Sequence, residues 1–188
     1  MRADLASLQG LCDGVDLVHR QVWLHGPIDA ASIGNVMKAA LVMAQTSYEP
    51  IELLLVSEGG DVEEAFGLSD LLRSLPVQVH ATAYGKCMSA APMLLVSADP
   101  GCRVAGENTQ FMIHAVEVAS PYATHQDLSG LADCTKNLQS RYCQFLADRT
   151  SMPKAHWSRL MRAGKDVFFD AEQALAWGMI DEIVPQKA

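Results

Sequence analysis

Val77-Gln78-Val79-His80-Ala81-Thr82-Ala83-Tyr84-Gly85-Lys86-Cys87-Met88-Ser89-Ala90-Ala91-Pro92-Met93-Leu94-Leu95-Val96 changes character halfway along its length. Val77 to Tyr84 is an apolar, β-leaning run, and Met93 to Val96 reads as helix. The eight residues from Gly85 to Pro92 lie between them, so the segment reads as strand, tight turn and helix N-terminus, with Ser89 at the junction. At such a junction backbone N–H groups point outward and the helix dipole favours negative charge. A hydroxyl there suits a nucleophile whose attack creates an oxyanion. A Ser among small residues at a helix start is also an ordinary cap or packing residue, so the rest of the chain has to decide.

Immediately upstream the same rhythm appears. Ile51-Glu52-Leu53-Leu54-Leu55-Val56 is a nearly continuous apolar run, as expected of a strand buried on both faces. It ends in Ser57-Glu58-Gly59-Gly60-Asp61, and Val62, Phe66, Leu68 and Leu72 then recur at helical spacing as far as Pro76. Strand, turn and helix thus occur twice in tandem, which predicts an α/β fold. Sites in such folds gather at the carboxyl ends of strands, where both Gly59-Gly60 and Ser89 stand.

Further out, Leu17 to Leu24 reads as a strand stopped by His25-Gly26-Pro27. Ser32 can cap a helix through Val36, Ala40 and Met43 that Pro50 breaks. Leu5, Leu8 and Leu11 suggest a short helix ending near Gly14. Downstream, Gln110 to His114 is a third short strand. Residues 126–150 form the longest helical pattern, with Leu131, Leu138, Tyr142, Phe145 and Leu146 on it and no flanking strands to cover them, so this helix is expected to project and to leave Leu138, Tyr142 and Phe145 partly buried between subunits. A short helix with Trp157, Leu160 and Met161 follows Pro153, and a last one from Asp170 to Trp177 stops at Gly178.

The chain has 188 residues, 49% of them hydrophobic, and a formal net charge of −8. That supports one globular domain and argues against nucleic acid, which requires a basic face. No apolar run approaches the roughly 20 residues that span a bilayer, and the N-terminus has no secretory pattern. Cys12, Cys87, Cys102, Cys134 and Cys143 are widely spaced, without a CxxC pair, and fit reduced cytosolic thiols. No zinc-ligand spacing and no GxxxxGK[ST] motif occurs, so no metal and no ATP hydrolysis are expected. His19, His25, His80, His125 and His156 read as surface or locally bonded residues, and Cys87 as a buried thiol.

Ser-His-Asp chemistry needs a hydroxyl, an imidazole, an orienting carboxylate and N–H donors for the oxyanion. The order Gly59-Gly60, Ser89, His114 and an Asp near 166 resembles that of the Clp peptidase (ClpP) family over residues 17 to 184. Arg20 to Asp29 resembles that family's first strand, Val56 to Gly60 its I-N-S-P-G-G turn, Gly85 to Ala90 its G-Q-A-A-S-M, and Phe111 to His114 its x-M-I-H. Lys165 to Ala174 and Trp177 to Asp181 resemble its two C-terminal motifs. Glu58 stands where the family has Pro, Ala90 where it has Met and Ala91 where it has Gly. The Gly-rich strand after M-I-H is replaced by Ala115 to Pro121.

The resemblance implies a fold: α/β, a ClpP/crotonase-type superhelix of strand–turn–helix units with a projecting handle helix. It implies a single domain over 1–188, with a divergent segment at 1–16 and a handle region at about 115–160. It implies a serine endopeptidase in which Ser89 is the nucleophile, His114 the general base and Asp166 the orienting carboxylate, with the Gly60 and Ala90 N–H groups as oxyanion donors and no cofactor. It further implies polypeptide substrates, heptameric rings paired into a homo-oligomeric tetradecamer, an AAA+ unfoldase ATPase as candidate partner, and a cytoplasmic location. Asp166 is preferred to Asp170 because Asp170 already has a structural role, since with Gln173 at N3 it can cap the following helix. An acyl-CoA enzyme of the crotonase superfamily, a Clp-like virion-assembly protease and a non-catalytic ring subunit are the alternatives.

Overall fold

The computed structural model describes residues 14–117, 125–162 and 164–184, and of 125–129 only the backbone. The proposed N-terminal helix at Leu5 to Leu11 and the substitution at Pro121 lie outside the described residues. In chain order the elements are β1 (Val15–Asp16), β2 (Gln21–Ile28), α1 (Ala30–Thr46), β3 (Ile51–Gly60), α2 (Val62–Ser74), β4 (Val79–Met88), α3 (Ala91–Val96), β5 (Arg103–Gly106), β6 (Gln110–Ile113), α4 (His125–Arg149), α5 (Lys154–Arg162), β7 (Val167–Phe169), α6 (Ala171–Ala176) and β8 (Glu182–Val184).

One sheet organises them. Strands β2, β3, β4, β5 and β8 lie side by side and parallel, with β1 antiparallel on the β2 edge. β4 has two successive neighbours on one side. Ala81 to Ala83 pair with β5, and Lys86 to Met88 pair with β6. Gly85, at φ +64°, lies between the two pairings, where a left-handed residue lets the strand change partners without the cost of a Cβ. β6 then pairs antiparallel with β7. This fork in β4 carries Ser89 out of the main sheet and toward β6.

β3 is buried on one face rather than two. Ile51, Leu53 and Leu55 are fully buried, while Glu52, Leu54 and Val56 are half-buried. With Val22 and Leu24 of β2 and Val79, Ala81 and Ala83 of β4 they form the core layer under the helices, as the two-residue side-chain period of a strand requires. The opposite face leaves Trp23 and Tyr84 exposed; they line a cleft with Leu54 and Val56.

Several boundaries differ from the sequence reading: β3 and β4 run on through the expected turns to Gly60 and Met88, because their glycine-bearing ends still pair with β2 and β6, and two further differences have local causes. β2 is not stopped by His25-Gly26-Pro27 and continues to Ile28. Its register against β3 shifts between His25 and Pro27, and Gly26 takes φ +101°, a bulge at which a proline is tolerated. Helix α1 is capped by Asp29 and not by Ser32. Asp29 Oδ1 accepts from the Ala31 and Ser32 N–H groups at 2.9 and 2.8 Å, and Ser32 Oγ accepts from the Asp29 N–H at 3.0 Å. Ser32 is therefore the N3 half of a capping box.

Helix α4 has two unlike halves. From Gly130 to Asn137 no side chain is buried. Tyr142, Cys143, Phe145 and Leu146 belong to the core of the same chain. Phe145 meets Phe66 of α2 edge to face at 5.7 Å. Tyr142 and Phe145 are thus covered by α2 and the Ser89 turn, and not between subunits as their pattern suggested.

Candidate active site

Ser89 follows the last residue of β4 and adopts φ +57°. A left-handed backbone costs a non-glycine residue of order 1 kcal/mol, so the neighbours must hold it. The Ser89 N–H donates to the Met112 carbonyl of β6 at 2.8 Å, and the Tyr142 hydroxyl of α4 donates to the Ser89 carbonyl. The turn lifts Oγ to 2.8 Å from His114 Nε2. His114 is the residue after β6, so the same β4–β6 pairing that fixes the serine backbone also delivers the imidazole.

The glycine pair ending β3 is required by space. Gly59 lies at φ +95°. A Cβ there would fall 2.4 Å from Ser89 Cβ and 2.6 Å from the Met88 carbonyl. Gly60 lies at φ +148°, and its Cβ would fall 2.2 Å from the Ile28 carbonyl. No other residue allows β3 to end against the Ser89 turn. Ser57, which the sequence reading passed over, pins this end: its buried hydroxyl donates to the Gly26 carbonyl at 2.7 Å and accepts from the Gly59 N–H at 3.0 Å. The hydroxyl three residues before Gly60 was the available signal. Ala90 occupies the N-cap position of α3, and among the described residues its N–H donates to no backbone or side-chain acceptor.

Carboxylates are arranged less simply. The antiparallel register sets Phe111 opposite Phe169, Met112 opposite Phe168 and Ile113 opposite Val167. Continued by one step, it sets His114 beside Asp166. The Asp166 side chain is exposed, and within 4 Å of His114 Nδ1 the acidic group is Glu117, at 3.6 Å. So Ser89 and His114 come together, while the Asp166 carboxylate, although its neighbour Val167 pairs with Ile113, makes no ion pair with His114. Asp170 caps α6, accepting from the Gln173 N–H at 2.8 Å.

Two neighbours complete the surroundings. Glu58 pairs with Lys86 at 2.8 Å; the Lys86 hydrogen bond is the largest influence holding its carboxyl below the ordinary range. Cys87 is fully buried, and burial pushes its thiol up, which makes it unreactive. Hydroxyl, imidazole and an unpaired N–H at a helix start are the components of acyl transfer through a serine ester.

A family model described as Clp protease matches residues 14–187. The ATP-dependent Clp protease proteolytic subunit of Paracoccus denitrificans is 26% identical over 164 residues, covering 87% of this chain and 81% of that protein. The ATP-dependent Clp protease proteolytic subunit 1 of Tropheryma whipplei is 29% identical over 167 residues, covering 88% and 80%. Among solved structures, a ClpP1 mutant from Listeria monocytogenes matches with a TM-score of 0.81 at 22% identity, over 95% of this chain and 96% of that one. At that identity the likeness speaks for the fold.

Proposed function

The chain belongs to the Clp protease family, and from that premise we propose that it is a serine endopeptidase that cleaves unfolded polypeptides through an acyl-enzyme. Ser89 Oγ attacks the peptide carbonyl. His114 takes its proton through Nε2 and returns it to the leaving amine. The Gly60 and Ala90 N–H groups receive the oxyanion, and Asp166 orients His114. The observation that carries this reading is the 2.8 Å approach of Ser89 Oγ to His114 Nε2 from a backbone held at φ +57°, a strained geometry of the kind concentrated at functional sites.

For Asp166 the support is the β6–β7 register, which ends by pairing Ile113 with Val167, the neighbours in sequence of His114 and Asp166. We place the chain in homo-oligomeric rings in the cytoplasm, paired as a tetradecamer, with a separate AAA+ ATPase to unfold substrates, since the sequence holds no nucleotide-binding motif. Among the described residues no helix is long and apolar enough to cross a membrane. A non-catalytic ring subunit is the second reading, favoured by the Asp166 side chain, which pairs with no group among the described residues.

Labelling with a fluorophosphonate, followed by mapping of the adduct, tests the proposal. An adduct on Ser89 that disappears in Ser89→Ala is the expected result. A folded, assembled protein without an adduct, under conditions where a Clp peptidase reacts, gives the non-catalytic reading.

A further inference from the structure

The Ser89 carbonyl has no backbone donor among the described residues, and its one partner is a side chain. In a regular helix the N–H of residue i+4 would reach it; that residue is Met93, and its N–H goes instead to the Ala90 carbonyl at 3.1 Å. The residue before it, Pro92, has no N–H to give. A carbonyl in this well-packed place needs a partner. The Tyr142 hydroxyl, brought from α4 across 53 positions of sequence, is that partner. Tyr142 is itself buried. Ala90 and Ala91 beside it are also buried and small, which leaves room for a ring to approach the turn.

The Ser89 carbonyl and the Ala90 N–H belong to one peptide unit. That unit is planar and trans, so the two groups point in opposite directions. An anchor on the oxygen therefore aims the N–H. The geometry points to Tyr142 as a positioning residue that fixes the Ser89–Ala90 peptide plane and thereby holds the Ala90 N–H toward the developing oxyanion. This rests on the reading of Ser89 as nucleophile and adds a residue from the handle helix to the site. Burial pushes the Tyr142 phenol up, so the donor keeps its proton throughout the working pH range of a histidine base.

Tyr142→Phe removes the hydroxyl and leaves the ring. The expected result is a fall of about tenfold in kcat on a fluorogenic peptide, the order of one lost hydrogen bond, with KM unchanged. A peptide boronate, which mimics the tetrahedral state, should weaken by a similar factor, and the pH profile should keep its shape because His114 is untouched. Tyr142→Met, which fills the space without a hydroxyl, repeats the test should the phenylalanine variant fail to assemble. Leu146→Ala, one turn further along the same buried face, controls for loss of stability and should keep wild-type kcat below its melting transition. Wild-type kcat and boronate affinity in Tyr142→Phe overturn the inference alone. Equal losses in Leu146→Ala make the effect structural and overturn it as well. A wild-type protein that neither labels at Ser89 nor hydrolyses peptides overturns the underlying reading, and this inference with it.

Discussion

Ser89 is a residue whose backbone is shaped for its side chain. Its φ of +57° is held by Met112, Tyr142 and the close passage of Gly59. Ser89→Ala keeps that backbone and removes one oxygen. Peptide hydrolysis should fall to background while the melting temperature stays within a few degrees, as calorimetry would measure. Gly59→Ala makes the opposite trade: the new methyl meets Ser89 Cβ, so both stability and fluorophosphonate labelling should drop. The choice of orienting carboxylate also belongs at this scale. Asp166→Asn should slow turnover by up to about 10⁴-fold, the scale of losing the orienting acid in a tightly coupled triad. Glu117 is exposed and meets His114 Nδ1 only at 3.6 Å, and an exposed pair is worth about 0.2–1 kcal/mol. Glu117→Gln should therefore change kcat by no more than about fivefold. The reverse ranking, measured as kcat on a short peptide, would give the orienting role to Glu117.

Among the elements, caps and one ion pair carry separable amounts of stability. Asp29 accepts from two N–H groups at the start of α1, and Asp170 from one at the start of α6. Each Ala replacement should cost about 0.5–2 kcal/mol in urea unfolding, with Asp29→Ala the larger because it also breaks the reciprocal bond to Ser32. Neither should affect labelling of Ser89. Arg103 of β5 joins Asp181, just before β8, through Nε at 2.9 Å. Burial alone would push the Asp181 carboxyl up. The hydrogen bonds and charge of Arg103, with the Gly101 N–H, outweigh it and hold the carboxyl below its usual range. A group with a lowered folded pKa binds more protons when unfolded, so its stabilisation is complete above the unfolded value of about 3.9 and is lost as pH falls through the folded one. Wild-type stability should therefore decline below about pH 4 more steeply than that of Asp181→Asn, by chemical denaturation at stepped pH.

At the level of the whole molecule, α4 joins two environments. Its C-terminal half closes the core around Phe66 and Ser89, and from Gly130 to Asn137 none of its side chains is buried on the single chain. Together with the exposed sheet face at Trp23 and Tyr84, this is open surface on the single chain, and the ring proposal would give it a use. Light scattering should report an assembly many times the 20.4 kDa of one chain; a monomer over a wide concentration range would refute the proposal. The chain alone should cut short peptides slowly and leave folded proteins intact, because the proposed paired rings would enclose their sites and admit only extended segments. Rapid ATP-independent loss of a folded substrate would contradict that picture.

Local sequence by itself determined the strand–turn–helix rhythm, the placing of Ser89 between β4 and α3, the strand leading to His114 and the cap at Asp170. Each is a statement about neighbours in the chain: period, glycine turns and capping residues act over a few positions. It did not determine which strands pair. β5 and β7 are four and three residues long, too short for a period to show, and the fork of β4 between β5 and β6 is a fact of register alone. For the same reason local pattern marked Gly59-Gly60 as a turn but not as the space into which Ser89 fits, and it marked Tyr142 as an apolar helix position, one it assigned to a subunit interface. Only the tertiary structure brings Tyr142 to the Ser89 carbonyl, Ser57 to the Gly26 carbonyl and Lys86 to Glu58. These contacts depend on distances across the sheet and between layers, which packing fixes and no window of sequence contains.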